Sequence, residues 1–298
     1  MKEKDEMNQT WKRLIIGCLL IAGAAAHVFS AGKQEKDTYF EYRGLMSVEA
    51  KGLQIFSVEI TGERDRNRDG LCRMEIISPD NSRFKVRHDM RNGDLKIWVK
   101  DTHILFGHKR GPHRIVLYVP TELEVYADAD SGSVYIEGIE GEIEARADSG
   151  SVDLKSLSGN LTASSDSGSI SASSITGVVD MDVDSGNIDI SESRGDFTFR
   201  GDSGSVRMRR VSGRFFVDTD SGSIEASKLY LDEDSSFSAD SGSVSISLDN
   251  RREDLSVKAS ADSGKITVFS VSGSRLLEWG SGSTGLEIET DSGKIIVK

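Results

Sequence analysis

Proline and cysteine are scarce here: three prolines and two cysteines in 298 residues. Cys18 lies inside an apolar segment near the start, so removal of that segment leaves Cys72 alone and excludes an intrachain disulfide frame. Histidine is also sparse, with five residues and none beyond His113. A Ser–His catalytic pair would therefore have to bridge distant parts of the chain. Nucleophile elbow, phosphate loop, dinucleotide fingerprint and His-Glu-x-x-His patterns are all missing. Aromatic residues make up 7%, and the polar faces predicted below lack the Trp and Tyr platforms of a sugar cleft; Trp98 and Trp279 are read as packing residues. Positive charge is short as well. The formal net charge is −12, and residues 129–298 hold 30 acidic against 16 basic residues. Such a surface disfavours nucleic acid, which requires Lys and Arg to neutralise phosphate. These absences point away from an enzyme.

What the chain has in abundance is Asp-Ser-Gly. Copies begin at Asp130, Asp148, Asp166, Asp184, Asp202, Asp220, Asp240, Asp262 and Asp291, and the first five intervals are 18 residues. Gly280-Ser281-Gly282 reads as a degraded copy in register. A fixed period of this size is the signature of a solenoid, one coil per repeat. With Asp as position 1, positions 5 and 7 are apolar or small (Val134 and Ile136, Val152 and Leu154, Ile188 and Ile190), and so are positions 14 and 16 (Ile143 and Ala145, Phe197 and Phe199). Two alternating runs per coil, each bounded by Gly, predict two β-strands per coil. Stacked coils then pair equivalent strands in parallel about 4.8 Å apart and close a continuous core.

The Asp-Ser-Gly triplet reads first as corner chemistry: Gly for a sharp turn, Asp for an Asx-turn, Ser for local or coil-to-coil hydrogen bonds. A second reading follows from stacking. Asp130, Asp148, Asp166, Asp184, Asp202 and Asp220 would form a column of carboxylates, a candidate Ca²⁺ site, with Lys265 and Lys294 as built-in counter-ions towards the end. No other cofactor is implied.

Before the repeats, Lys12-Arg13 and the apolar run Leu14–Ala26 mark residues 1–31 as a signal peptide or uncleaved anchor. Ile15-Ile16-Gly17-Cys18 loosely resembles a lipidation box. The protein is thus expected to be exported, to the periplasm or cell surface, and to touch the membrane only through that segment. Residues 32–128 lack the repeat but alternate between strand-like runs and turn signals such as Asn92-Gly93-Asp94, predicting an antiparallel β cap over one end of the rod. Residues 129–298 are the solenoid. Within the cap, the stretch from Asp101 to Arg114 is rich in His103, His108, Lys109, Arg110 and His113. It reads as a solvated basic loop, and is the candidate partner-binding segment for an anionic envelope component.

Leader, β region with Val116-Leu117-Tyr118-Val119-Pro120, and repeated Ser-Gly-Ser-Val/Ile coils together resemble a bacterial family of candidate adhesins, first catalogued as a domain of unknown function. Its closing Thr-x-Ser-Gly-Asp-Ile segment is similar to Thr290–Ile295, with Lys294 in place of the Asp. The resemblance covers roughly residues 38–298. It implies an all-β solenoid that contacts a cell-surface or envelope component, protein or glycan, and it brings no catalytic residues. Relatives linked to envelope stress make a sensor or regulator the alternative, and a polysaccharide-active β-helix enzyme a distant third.

Overall fold

The structure, a computed structural model, describes residues 38–64, 70–78, 84–101 and 111–298. Before the first repeat run β1 (Thr38–Tyr42), β2 (Ser47–Lys51), β3 (Ser57–Gly62), β4 (Cys72–Ile77), β5 (Phe84–Arg91), β6 (Asp94–Asp101), β7 (Arg114–Val119) and β8 (Glu124–Ala129). The repeats supply β9 (Val134–Glu137), β10 (Glu140–Ala147), β11 (Val152–Ser165), β12 (Ile170–Val183), β13 (Ile188–Ser191), β14 (Arg194–Ser203), β15 (Val206–Ser221), β16 (Ile224–Leu231), β17 (Ser235–Ser241) and β18 (Val244–Leu248). The last four are β19 (Leu255–Val268), β20 (Val271–Gly280), β21 (Thr284–Ser292) and β22 (Ile295–Val297).

The expected stack is present. Val134, Val152 and Ile170 sit on one another in parallel register, as do Ile143, Leu161 and Val179. All six are buried. The strands of each coil alternate inward apolar and outward polar residues, so the stack closes one continuous core. Phenylalanines fill it in the middle coils: Phe197 and Phe215 stack at 5.3 Å, and Phe215 and Phe237 at 6.1 Å. Coils also turn at position 9, where Ser156, Ser174, Glu192, Arg210 and Lys228 adopt left-handed φ between 53° and 57°. Non-glycine residues hold that conformation at a cost of order 1 kcal/mol each, and the coil-to-coil hydrogen bonds on either side fix it.

Residues 32–128 are more than an antiparallel cap. Antiparallel pairs do occur, β1 with β4, β4 with β7 and β5 with β6. However, β2 lies between β6 and β8, and β3 between β7 and β9, all in parallel. These segments build true rungs without any Asp-Ser-Gly. Gln54-Ile55-Phe56 takes the corner instead, and the Ser131 N–H donates to the Gln54 carbonyl at 2.8 Å.

The other end departs further from sequence order. β21 lies between β17 and β19, and β22 between β18 and β19. The last coil of the chain is therefore an interior rung. The end is closed by β20, which runs antiparallel along β19. Gly280-Ser281-Gly282 is not a coil corner. It turns the chain from β20 into β21, with the Gly282 N–H donating to Leu255 O at 3.0 Å.

At the N-terminal end two aromatics meet a histidine. Phe40 and His88 ring centres are 4.0 Å apart, and the Tyr42 hydroxyl lies 2.6 Å from His88 Nδ1. Burial and then the nearby Cys72 push Tyr42 up to about 12, so its hydroxyl stays protonated. Burial lowers His88, with Asp89 opposing, and burial also lowers His113. Both histidines are thus favoured neutral in the folded state. Their contribution is fully present above the ordinary histidine value of about 6.5 and is lost as pH falls through the lowered folded values. The melting temperature is expected to fall between pH 7.5 and 5.5, and the fall to shrink in a His88→Phe/His113→Phe variant. A variant that keeps the full fall would show that other groups carry it.

Candidate functional site: the outer corners and faces of the rod

After the first, the glycine of each Asp-Ser-Gly faces the same glycine of the neighbouring coil. A Cβ on Gly150, Gly168, Gly186 or Gly204 would fall inside the carbonyl oxygen of Gly132, Gly150, Gly168 or Gly186. The ladder continues through Gly222, Gly242, Gly293 and Gly264, following the spatial order of the coils. Close backbone approach, more than turn conformation, is what demands glycine here.

Position 4 carries a second ladder. The Asn187 N–H donates to Ser169 Oγ at 3.2 Å and the Ser205 N–H to Asn187 Oδ1 at 2.9 Å. Lys294 N–H likewise donates to Ser243 Oγ at 3.4 Å. Position 2 joins the coils through backbone, Ser167 N–H to Asp148 O at 2.8 Å, and at Ser263 also through its hydroxyl, which donates to Asp291 O at 3.3 Å. The Asx-turn expected of the aspartates is not formed: among the described residues, none of the nine makes a side-chain hydrogen bond or an ion pair. The corner hydrogen bonds run along the rod, so the carboxylates are left pointing outward.

Asp148, Asp166, Asp184, Asp202 and Asp220 stand exposed in a row, with Asp130 half-buried at its start. Two neighbours feel the row. Burial, then Asp130 and Asp148, raise the Asp128 carboxyl above its ordinary range. Burial also raises Asp182, with Asp184, Asp180 and Asp202 adding and Arg200 opposing. Among the described residues no three or more His, Cys, Asp or Glu side chains converge to hold a metal ion. Lys265 and Lys294 are exposed and form no ion pair among the described residues.

Of the basic segment, His103, His108, Lys109 and Arg110 lie outside the described residues. His113 is half-buried rather than presented. Its ring packs on Phe56 at 4.9 Å, and Nδ1 shares a 3.2 Å hydrogen bond with Ser78.

The outer faces carry aromatics that the sequence reading assigned to packing or overlooked. Trp98 is 43% exposed, Phe216 48% and Tyr230 46%. Phe216 lies in a groove of about 990 Å³ that runs across four rungs, from β15 over β17 and β21 to β19. One wall is the acidic turn Asp232-Glu233-Asp234, and Ser283–Gly285 forms another. The walls are tied where the Gly285 N–H donates to Asp234 Oδ1 at 2.6 Å. Arg214 holds Asp196 at 2.8 Å and Glu233 at 3.5 Å, and its guanidinium lies 5.6 Å from the Phe216 ring centre. Lys258 pairs with Glu287. The signal for this groove was in the sequence: the interval from Asp220 to Asp240 is two residues longer than the repeat and contains the acidic run.

Comparison with known proteins bears on the family. No curated protein matches the chain. Two solved structures align with the chain: a candidate cell adhesion protein from Clostridium sporogenes, 12% identical, with 89% of this chain and 99% of that one covered at a TM-score of 0.24; and a candidate adhesin from Bacteroides fragilis, 12% identical, with 89% and 98% covered at 0.36. The family model described as Toastrack DUF4097 matches residues 57–298, from β3 to the end, and so takes in β3 to β8 and the repeats themselves. The chain belongs to the Toastrack DUF4097 family.

Proposed function

We propose that this is an exported, non-enzymatic protein of the cell envelope, whose rod presents a repetitive surface for adhesion or scaffolding. The observation that carries the reading is the outward ladder itself. Fixed rungs hold serines, aspartates and ion pairs in register along the rod, and such a surface binds by repeated contact rather than by one reactive centre. The outward groups are held by the backbone stack, so binding requires little ordering. The apolar leader accounts for export. Cell fractionation, followed by capture of envelope fractions on immobilised protein, tests this. Recovery outside the cytoplasm together with retention of envelope material is expected. Cytoplasmic recovery, or an immobilised rod that retains nothing, would overturn it.

A further inference from the structure

We propose that the groove over Phe216 is a binding subsite for a non-acidic oligosaccharide, an inference that rests on the envelope-surface reading and names its ligand class. Phe216 lies between Thr198 and Ser236 in neighbouring rungs, small residues, and about half of it stays exposed beside the Arg214 guanidinium. A half-exposed ring on a flat sheet suits the apolar C–H face of a pyranose, which gains burial by lying on it. Around the ring the groove offers hydroxyls from Ser236, Ser256 and Thr284, and ion-paired Arg214 and Lys258. Hydroxyls donate and accept and carboxylates accept, so ring hydroxyls can be met at many angles, as a polyol requires. Four rungs span roughly 14 Å, enough for a short oligosaccharide lying along the rod.

Charge selects among ligands. Arg214 and Lys258 are the two cations lining the groove, against the carboxylates of Asp232, Glu233, Asp234 and Glu287. Both cations are already paired with carboxylates. An anionic glycan or a nucleic-acid phosphate would meet net repulsion there. A neutral or amino-sugar chain would not.

The test is calorimetric titration of the purified chain with cellotriose, N-acetylchitotriose, chitosan trimer and trigalacturonate. At least one of the first three is expected to bind, with trigalacturonate weaker by tenfold or more. Phe216→Ala is expected to weaken the binding at least tenfold and Phe216→Trp to preserve it. Phe216 is exposed, so both variants are expected to melt with the parent. Lack of binding by every non-acidic trisaccharide, preference for trigalacturonate, or binding indifferent to Phe216→Ala would overturn the proposal. The titration does not depend on where the protein resides. Failed binding with envelope recovery would sink the groove alone, and cytoplasmic recovery with intact binding would sink the envelope reading alone.

Discussion

Deleting residues 284–298 is expected to unfold the chain from about residue 232 onward while leaving the earlier rungs intact. In sequence these residues look like a dispensable tail. In space β21 and β22 are an interior rung, holding β17 and β18 on one side and β19 on the other. The deletion removes four fully buried apolar residues, Leu286, Ile288, Ile295 and Val297. At about 1.5–3 kcal/mol per buried side chain, their burial is worth roughly 6–12 kcal/mol as an upper bound. A whole domain is stable by only about 5–15 kcal/mol. The deletion also strips partners from Val244, Ile266 and Val268, whose apolar faces would meet water. Stability in a stacked rod is close to a sum of nearest-neighbour terms, so damage stays local. Limited proteolysis read by mass spectrometry is expected to show a protected fragment ending near Leu231 and rapid cutting between Asp232 and Ser283. Were the last coil a terminal rung, the deletion would merely shorten the rod, and residues 255–280 would stay protected.

Gly186→Ala is expected to destabilise the rod by about 3 kcal/mol or more. The added methyl would have to occupy the space of the Gly168 carbonyl oxygen. Backbone cannot swing aside as a side-chain tip can, and the stack fixes it from both directions. Gly201→Ala is the matched control in the same coil. Its Cβ would meet Val183 Cγ2 at 3.5 Å, ordinary van der Waals contact. Moreover, Gly201 needs no left-handed backbone, so that change is expected to stay within about 1 kcal/mol. Chemical denaturation of the two variants beside the parent decides the matter. Equal effects would mean that the glycine column is not in contact.

Much of this architecture was legible because a period is a long-range statement written locally. Eighteen residues between Val134, Val152 and Ile170 meant that they share a face and stack, and position-by-position apolarity located both strands of each coil. Three features were hidden. The rung of β2 and β3 carries no Asp-Ser-Gly, since Phe56 rather than glycine supplies the carbonyl beneath Gly132. The interior position of the last coil left only an irregular spacing, because strand pairing is decided by which edge is free, and sequence order does not record that. The position-9 corner is turned by Ser, Glu, Arg and Lys, residues with no turn signature; Gly138, at that position in the first coil with φ of 72°, was the one clue. For the outer surface, the aspartate column was visible, but the coil-to-coil hydrogen bonds that take the place of an Asx-turn at its corners were not. The groove was marked only by a coil two residues too long.

The order of the rungs is most directly tested by cysteine pairs on the exposed Asp-Ser-Gly serines, with the native Cys72 buried in the core. Ser241 and Ser292 are register partners in β17 and β21. Their Cα atoms lie one strand spacing apart, within disulfide reach. Ser241 and Ser263 belong to consecutive repeats in sequence but are two rungs apart in space, roughly 9.6 Å, beyond that reach. Mild oxidation is predicted to close Ser241→Cys/Ser292→Cys and to leave Ser241→Cys/Ser263→Cys open. The reverse result would contradict the stacking order on which the interior coil, the groove and the glycine column all depend.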